Sequence, residues 1–134
     1  MKQDPITING DGGKISISDF SKIDKRSVVA KIKFISDWFE GGFYFEASVD
    51  RINEFERDLG SAVLQEKKRI NFINEEGSVD IGINVGDRGN CLVTAVFSKS
   101  MIDGCQVRQE FNSDVISLES FWRALRSRLH HPIT

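Results

Sequence analysis

The sequence predicts an α+β domain with a meandering antiparallel sheet, and three observations carry that prediction. Segments such as "VVAKIKFIS" and "SVDIGINV" alternate apolar and polar residues, as half-buried strands do. Two segments, "RINEFERDLGSAVLQEKK" and "LESFWRALRSRLHH", instead place their apolar residues at helical spacing. The connections between strand-like runs are hairpin-length, which leaves no crossover for a parallel sheet. The expected order is strands, a middle helix, strands and a C-terminal helix, with about six to eight strands in all. The chain of 134 residues fits a single domain.

Residues 1–27 are weakly patterned: "ITI" and "KISIS" read as short strands around the turn-rich "NGDGG", and "FSKIDKRS" reads as a loop. The main body spans 28–129. Val28, Ala30, Ile32 and Phe34 point to one side of the next strand, with Lys31 and Lys33 on the other. Asp37 to Gly42 form a turn, with Gly41 and Gly42 letting the chain bend. "FYFEASV" then puts Phe43, Phe45, Ala47 and Val49 inward and Tyr44, Glu46 and Ser48 outward. Asp50 is placed to cap the middle helix, whose apolar stripe is Ile52, Phe55, Leu59 and Val63; Gly60 weakens it and marks a possible break. "RINFIN" and "SVDIGINV" follow as strands, and "CLVTAVFS", apolar on both faces, suits a central one. Ser117 is placed to cap the last helix, with Leu118, Phe121, Trp122, Leu125 and Leu129 as its stripe and Pro132 as its stop. No internal repeat is strong enough to use.

The bulk numbers exclude several classes. A formal net charge of −2 argues against general nucleic-acid binding, which needs a concentrated basic face. No apolar run has the length of a membrane-spanning helix and the N-terminus lacks a secretory apolar region, so the expected location is cytoplasmic. Aromatic content is dominated by 10 Phe, against 2 Trp and 1 Tyr, which favours core filling over recognition. A hairpin through "KSMIDG" pairs Ser98 with Cys105 and Cys91 with Asn112, too far apart for a disulfide, and two reduced thiols are expected.

The search for chemistry yields little. The histidines, His130 and His131, are adjacent at a helix end and point in different directions, so no metal or cofactor is expected. No nucleophile-elbow, phosphate-loop or zinc-protease motif occurs, and an enzyme is not predicted. Glu56 with Asp58, Glu75 with Glu76, and Asp37 with Glu40 are read as solvated carboxylates rather than acid–base pairs. Trp122 belongs with the core stripe; Trp38, beside Asp37 and Glu40 in a turn, is either an interface anchor or a lid on the core.

The run "GGFYFEASVDRINEFERDLGSAV", the strands "INFINEEGSVDIGINVGDRGNCLVTAVFS" and the closing "VISLESFWRALRSRL" together resemble the WapI-type immunity proteins of bacterial polymorphic toxin systems and their uncharacterised relatives. That resemblance implies a non-enzyme that binds and occludes a cognate toxin domain. Candidate contacts are Asp37, Glu40, Glu46, Glu75, Glu76 and Asp80, with Trp38 and Tyr44 as aromatic anchors. Lys31, Lys33 and Arg108 are expected to share that face and make it mixed in charge. Two alternatives stand beside this reading: a small-molecule-binding domain with an aromatic-lined pocket, and an oligomerisation or scaffold module, the chain being a monomer or homodimer.

Overall fold

The structure, a computed structural model, describes residues 4–37, 39–98 and 106–130. Strands β1 (Ile6–Gly10), β2 (Gly13–Lys22), β3 (Ser27–Ser36) and β4 (Glu40–Ser48) lead into helix α1 (Val49–Val63). The pattern then recurs: β5 (Arg69–Ile73), β6 (Val79–Val85), β7 (Asn90–Ser98) and β8 (Gln106–Asp114) lead into α2 (Val115–His130). The expected α+β fold is present, with eight strands divided into two four-stranded antiparallel sheets, each in chain order.

Alternation fixes which face of each sheet is inside. Ile15, Ile17, Val28, Ala30, Ile32, Phe34, Phe45 and Ala47 of the first sheet are buried, as are Ile81, Ile83, Cys91, Val93, Ala95 and Phe97 of the second. The inner faces meet through aromatic contacts: Phe34 and Phe97 stack with centroids 4.4 Å apart and planes 9° from parallel. Phe45 meets Phe72 edge-on, and Phe55 of α1 meets both Phe72 and Phe121 of α2. Rings without polar handles can fill this layer at no hydrogen-bonding cost, which accounts for the abundance of Phe.

The halves are related to one another. Phe45, Val49, Phe55 and Leu59 recur as Phe111, Val115, Phe121 and Leu125 at matching places in the strand–helix junctions. Ser48 Oγ accepts from Arg51 N at 3.2 Å, and Asp114 Oδ1 accepts from Ser117 N at 2.7 Å. Val49 N donates to Arg26 O just before β3, and Val115 N donates to Gly89 O just before β7. Phe34 and Phe97 hold the same position in β3 and β7, so their mutual stacking places them on an approximate twofold axis. The internal repeat that the sequence does not declare is therefore present as structure. Its halves share apolar positions and capping geometry while their polar residues differ.

Four local expectations are corrected. The helix caps are Ser48 and Asp114, not Asp50 and Ser117, because a cap's oxygen must reach the amide of the second or third helical residue. α1 ends at Val63 rather than running through "LQEKK": Gln65 turns left-handed, at φ 61°. β2 extends into the expected loop as far as Lys22 through a bulge at Asp19, at φ 54°, so that Phe20 still reaches the core. The β7–β8 register pairs Cys91 with Ser113 and Ser98 with Gln106, one residue from the expected pairing. Paired antiparallel residues share a face, so buried Val93 must oppose buried Phe111. Cys91 is a free, buried thiol; burial pushes its pKa up and the Asp114 carboxylate adds to the shift. Cys105, His131 and Pro132 lie outside the described residues.

Truncating Phe97 to Ala removes a ring that is 2% exposed and should cost about 3–5 kcal/mol in urea unfolding. Phe34→Ala should cost a similar amount, and the double variant should lose less than the sum, because each ring is the other's partner.

Candidate binding surface

The outer face of the first sheet carries a compact group of polar and aromatic side chains. Cross-strand register aligns Ser18, Lys31 and Tyr44 in one row and Ser16, Lys33 and Gly42 in the next. A third row holds Lys14, Ile35 and Glu40. Tyr44 is 61% exposed, and Lys31 Nζ lies 5.8 Å from its ring centroid. Lys33 Nζ pairs with Glu40 Oε1 at 3.2 Å, an exposed ion pair worth little to stability. Glu46, opposite Val29, extends the face toward α1.

The turn that leads into this face is tighter than the expected one. Ser36 N donates to Phe39 O at 2.8 Å, so β4 begins at Glu40 and Gly41–Gly42 lie within the strand. These glycines are there for space. A Cβ on Gly41 would stand 2.8 Å from the Phe34 ring, and one on Gly42 would stand 2.8 Å from Ile32 O. Asp37 sits in the turn and lines a shallow depression of about 220 Å³ with Gly12 and Lys14. Trp38 lies outside the described residues.

The other candidates separate from this group. Glu75 is engaged internally: it accepts from Ser48 N at 3.1 Å and pairs with Arg51 Nε at 3.5 Å. Partial burial raises its carboxyl pKa, but the bonds with Ser48 and the Arg51 charge outweigh that and hold it below the ordinary glutamate value of 4.5. Glu76 is exposed in the β5–β6 turn. Asp80 lies on the outer face of the second sheet, in a row with Val96 and Arg108. Arg108 thus belongs with Asp80 and not with Lys31 and Lys33. Of the seven predicted contacts among the described residues, Glu40, Tyr44 and Glu46 share one face of β4, with Asp37 at its margin.

A residue that the sequence reading passed over holds the seam beside this patch. Asn74, 1% exposed, donates through Nδ2 to Glu46 O at 3.0 Å and to Ser78 Oγ at 2.8 Å. Its Oδ1 accepts from Val79 N at 3.0 Å. Asn at the first position of a turn is a general signal for side-chain bonding to nearby backbone, but nothing in the sequence points it at β4.

On the aromatic strand, Phe45 is buried and Phe43 packs against Phe97. An open groove of about 680 Å³ lies between α1 and α2. There the Trp122 indole lies over Gly60, where a Cβ would stand 2.9 Å from Cζ2. Gly60 therefore lets the helices approach and does not break α1. Arg126 reaches over the indole at 5.7 Å and also pairs with Glu56 at 3.8 Å. Among the described residues, no group of three or more His, Cys, Asp or Glu could hold a metal ion. No helix among them is long and apolar enough to cross a membrane.

Neither a scan of protein-family models nor a search of curated proteins finds a match. Solved structures share the fold, two of them as follows. MRP1/MRP2 of Trypanosoma brucei matches with a TM-score of 0.55 and 8% identity, over 94% of this chain and 83% of that one. The plant transcriptional regulator PBF-2 matches with a TM-score of 0.51 and 13% identity, over 94% of this chain and 80% of that one. At such identities the likeness establishes the arrangement of elements alone.

The Glu75 contacts give a pH signature. Because its folded pKa is lowered, its stabilising contribution is present above 4.5 and is lost as pH falls from there through the depressed value. The stability gap between the wild-type chain and Glu75→Gln, read by denaturant titration, should be widest near neutrality and close across that acid window.

Proposed function

We propose that the protein is an immunity protein that binds a cognate bacterial toxin domain and occludes it, using the outer face of the first sheet. The observation that carries this reading is Tyr44: a ring 61% exposed at a strand centre, flanked by Lys31 and, two residues on, by Glu46. An exposed tyrosine on a paired strand is a pre-organised anchor that loses little entropy on binding. The surrounding carboxylates and lysines give a mixed field able to select one partner and set its register. The resemblance of residues 28–129 to WapI-type immunity proteins supplies the partner class, and occlusion requires no chemistry from this chain.

One observation favours a second reading. Lys14, Lys31, Lys33 and Tyr44 share this face, and an aromatic with interleaved cations also suits a single-stranded nucleic acid. PBF-2, which shares the fold, is described as a transcriptional regulator. Against it stands the net charge of −2, with Glu40 and Glu46 inside the patch.

If the reading holds, a toxic domain is encoded beside this chain, co-expression of the chain should relieve the growth arrest that domain causes, and the purified proteins should form a complex. Tyr44→Ala should weaken that complex by about 2 kcal/mol or more, roughly thirtyfold, and Glu46→Lys should slow association most at low salt. A complex unaffected by either change would move the interface elsewhere, and unrelieved arrest would remove the reading. A salt-dependent titration of an oligonucleotide that Lys31→Glu and Lys33→Glu abolish would favour the nucleic-acid reading instead.

A further inference from the structure

β4 is an edge strand of its sheet, and its free edge is divided into a used half and an open half. In an antiparallel ladder the N–H and C=O of one residue point to the same side, alternately toward and away from the neighbour. Ser48 N bonds Glu75 and Glu46 O accepts from Asn74, so the even-numbered residues of β4 face away from β3. The β3–β4 register runs without a shift from Ser27–Ser48 to Ile35–Glu40, so the same phase holds at Tyr44 and Gly42. At the α1 end the β5–β6 turn occupies this edge. Toward the β3–β4 turn, Glu40, Gly42 and Tyr44 are exposed, and no described strand pairs with them on that side.

We propose that Glu40–Tyr44 of β4 receives an extended segment of the partner protein as a fifth strand of the first sheet, the segment alternating basic and apolar residues. The backbone groups of Gly42 and Tyr44 supply the ladder, and Tyr44 stands at the boundary between sheet face and edge. The composition of the segment follows from the two faces of β4. On the outer face it would run beside Tyr44 and beside Glu40, whose exposed carboxylate Lys33 meets from the β3 side, so a cation fits on the open side. On the inner face it would run beside half-buried Phe43, which packs on Phe97, so apolar residues fit there. This inference deepens the toxin-binding reading and rests on it for the identity of the partner, but its chemistry can be tested without the toxin.

The probe is a soluble, end-blocked heptapeptide alternating lysine and valine, titrated into the full chain while backbone amides are followed by nuclear magnetic resonance. The Gly42 and Tyr44 amides should shift together and their hydrogen exchange should slow by roughly tenfold or more. A peptide N-methylated at alternate residues, which cannot complete the ladder, should lose the effect, and an alternating glutamate–valine peptide should bind far more weakly. No binding at millimolar peptide, or shifts that leave Gly42 and Tyr44 unmoved, would overturn the proposal. Concentration-dependent shifts of those amides without peptide would also overturn it, by showing a second copy of the chain on the edge. Failure of growth rescue with intact peptide binding would remove the toxin and leave the edge.

Discussion

The stack of Phe34 on Phe97 is the contact on which the rest of the fold depends. Each ring sits at the same position in a corresponding strand, one in each sheet, and they meet nearly parallel at 4.4 Å. Because the two rings meet face to face across the layer, this contact sets how the sheets face each other. Reciprocal packing follows: α1 leaves β4 and lies against β5, while α2 leaves β8 and lies against β1. Helix meets helix where Gly60 admits Trp122. A small chain thereby buries both sheets on one face only, and each sheet keeps a solvent-facing side.

That constraint decides where function can reside. Every inward position of β3 and β7 is committed to apolar packing, so the outward positions are the ones free to vary in chemistry. The two halves use that freedom differently. The outer face of β3–β4 carries lysines, Tyr44 and carboxylates, whereas that of β7–β8 carries Leu92, Thr94 and Val96 beside Arg108, Glu110 and Asn112. The apolar positions thus correspond between the halves, while the side chains of the two outer faces differ.

Much of the fold was legible in the sequence because alternation and helical spacing are local signals. Val28 to Phe34 and the stripe Ile52–Phe55–Leu59 lie where their periodicity placed them. The division of eight strands into two sheets was not legible. It depends on α1 carrying the chain from one sheet to the other, a tertiary fact with no local signature. Glycine was misread for a related reason. Gly41, Gly42 and Gly60 look like bends or breaks in isolation, yet each is there because a ring or a carbonyl approaches from another element. Of the proposed contacts, Tyr44 and Glu46 could be assembled because they alternate on one strand, whereas Glu40 was read into the preceding turn and joins them because β4 begins there. Glu75 could not be told from a free carboxylate, because its partners Ser48 and Arg51 are distant in sequence.

Glu75 and Asn74 also bear on how an edge strand can stay both soluble and receptive. An exposed edge invites uncontrolled pairing, and proteins restrain it by covering it, charging it or keeping it short. Here the β5–β6 turn covers the edge near Glu46 and Ser48, and no described strand pairs with the edge at the start of β4. Gly41 and Gly42 give that stretch a weak intrinsic strand preference, so neighbouring β3, rather than the segment itself, holds it extended. A short, charged, externally supported edge disfavours pairing with arbitrary strands while remaining geometrically ready for one that satisfies both the ladder and Tyr44. On the binding reading proposed above, the residues that restrain the edge against aggregation are the same ones that would receive a partner strand.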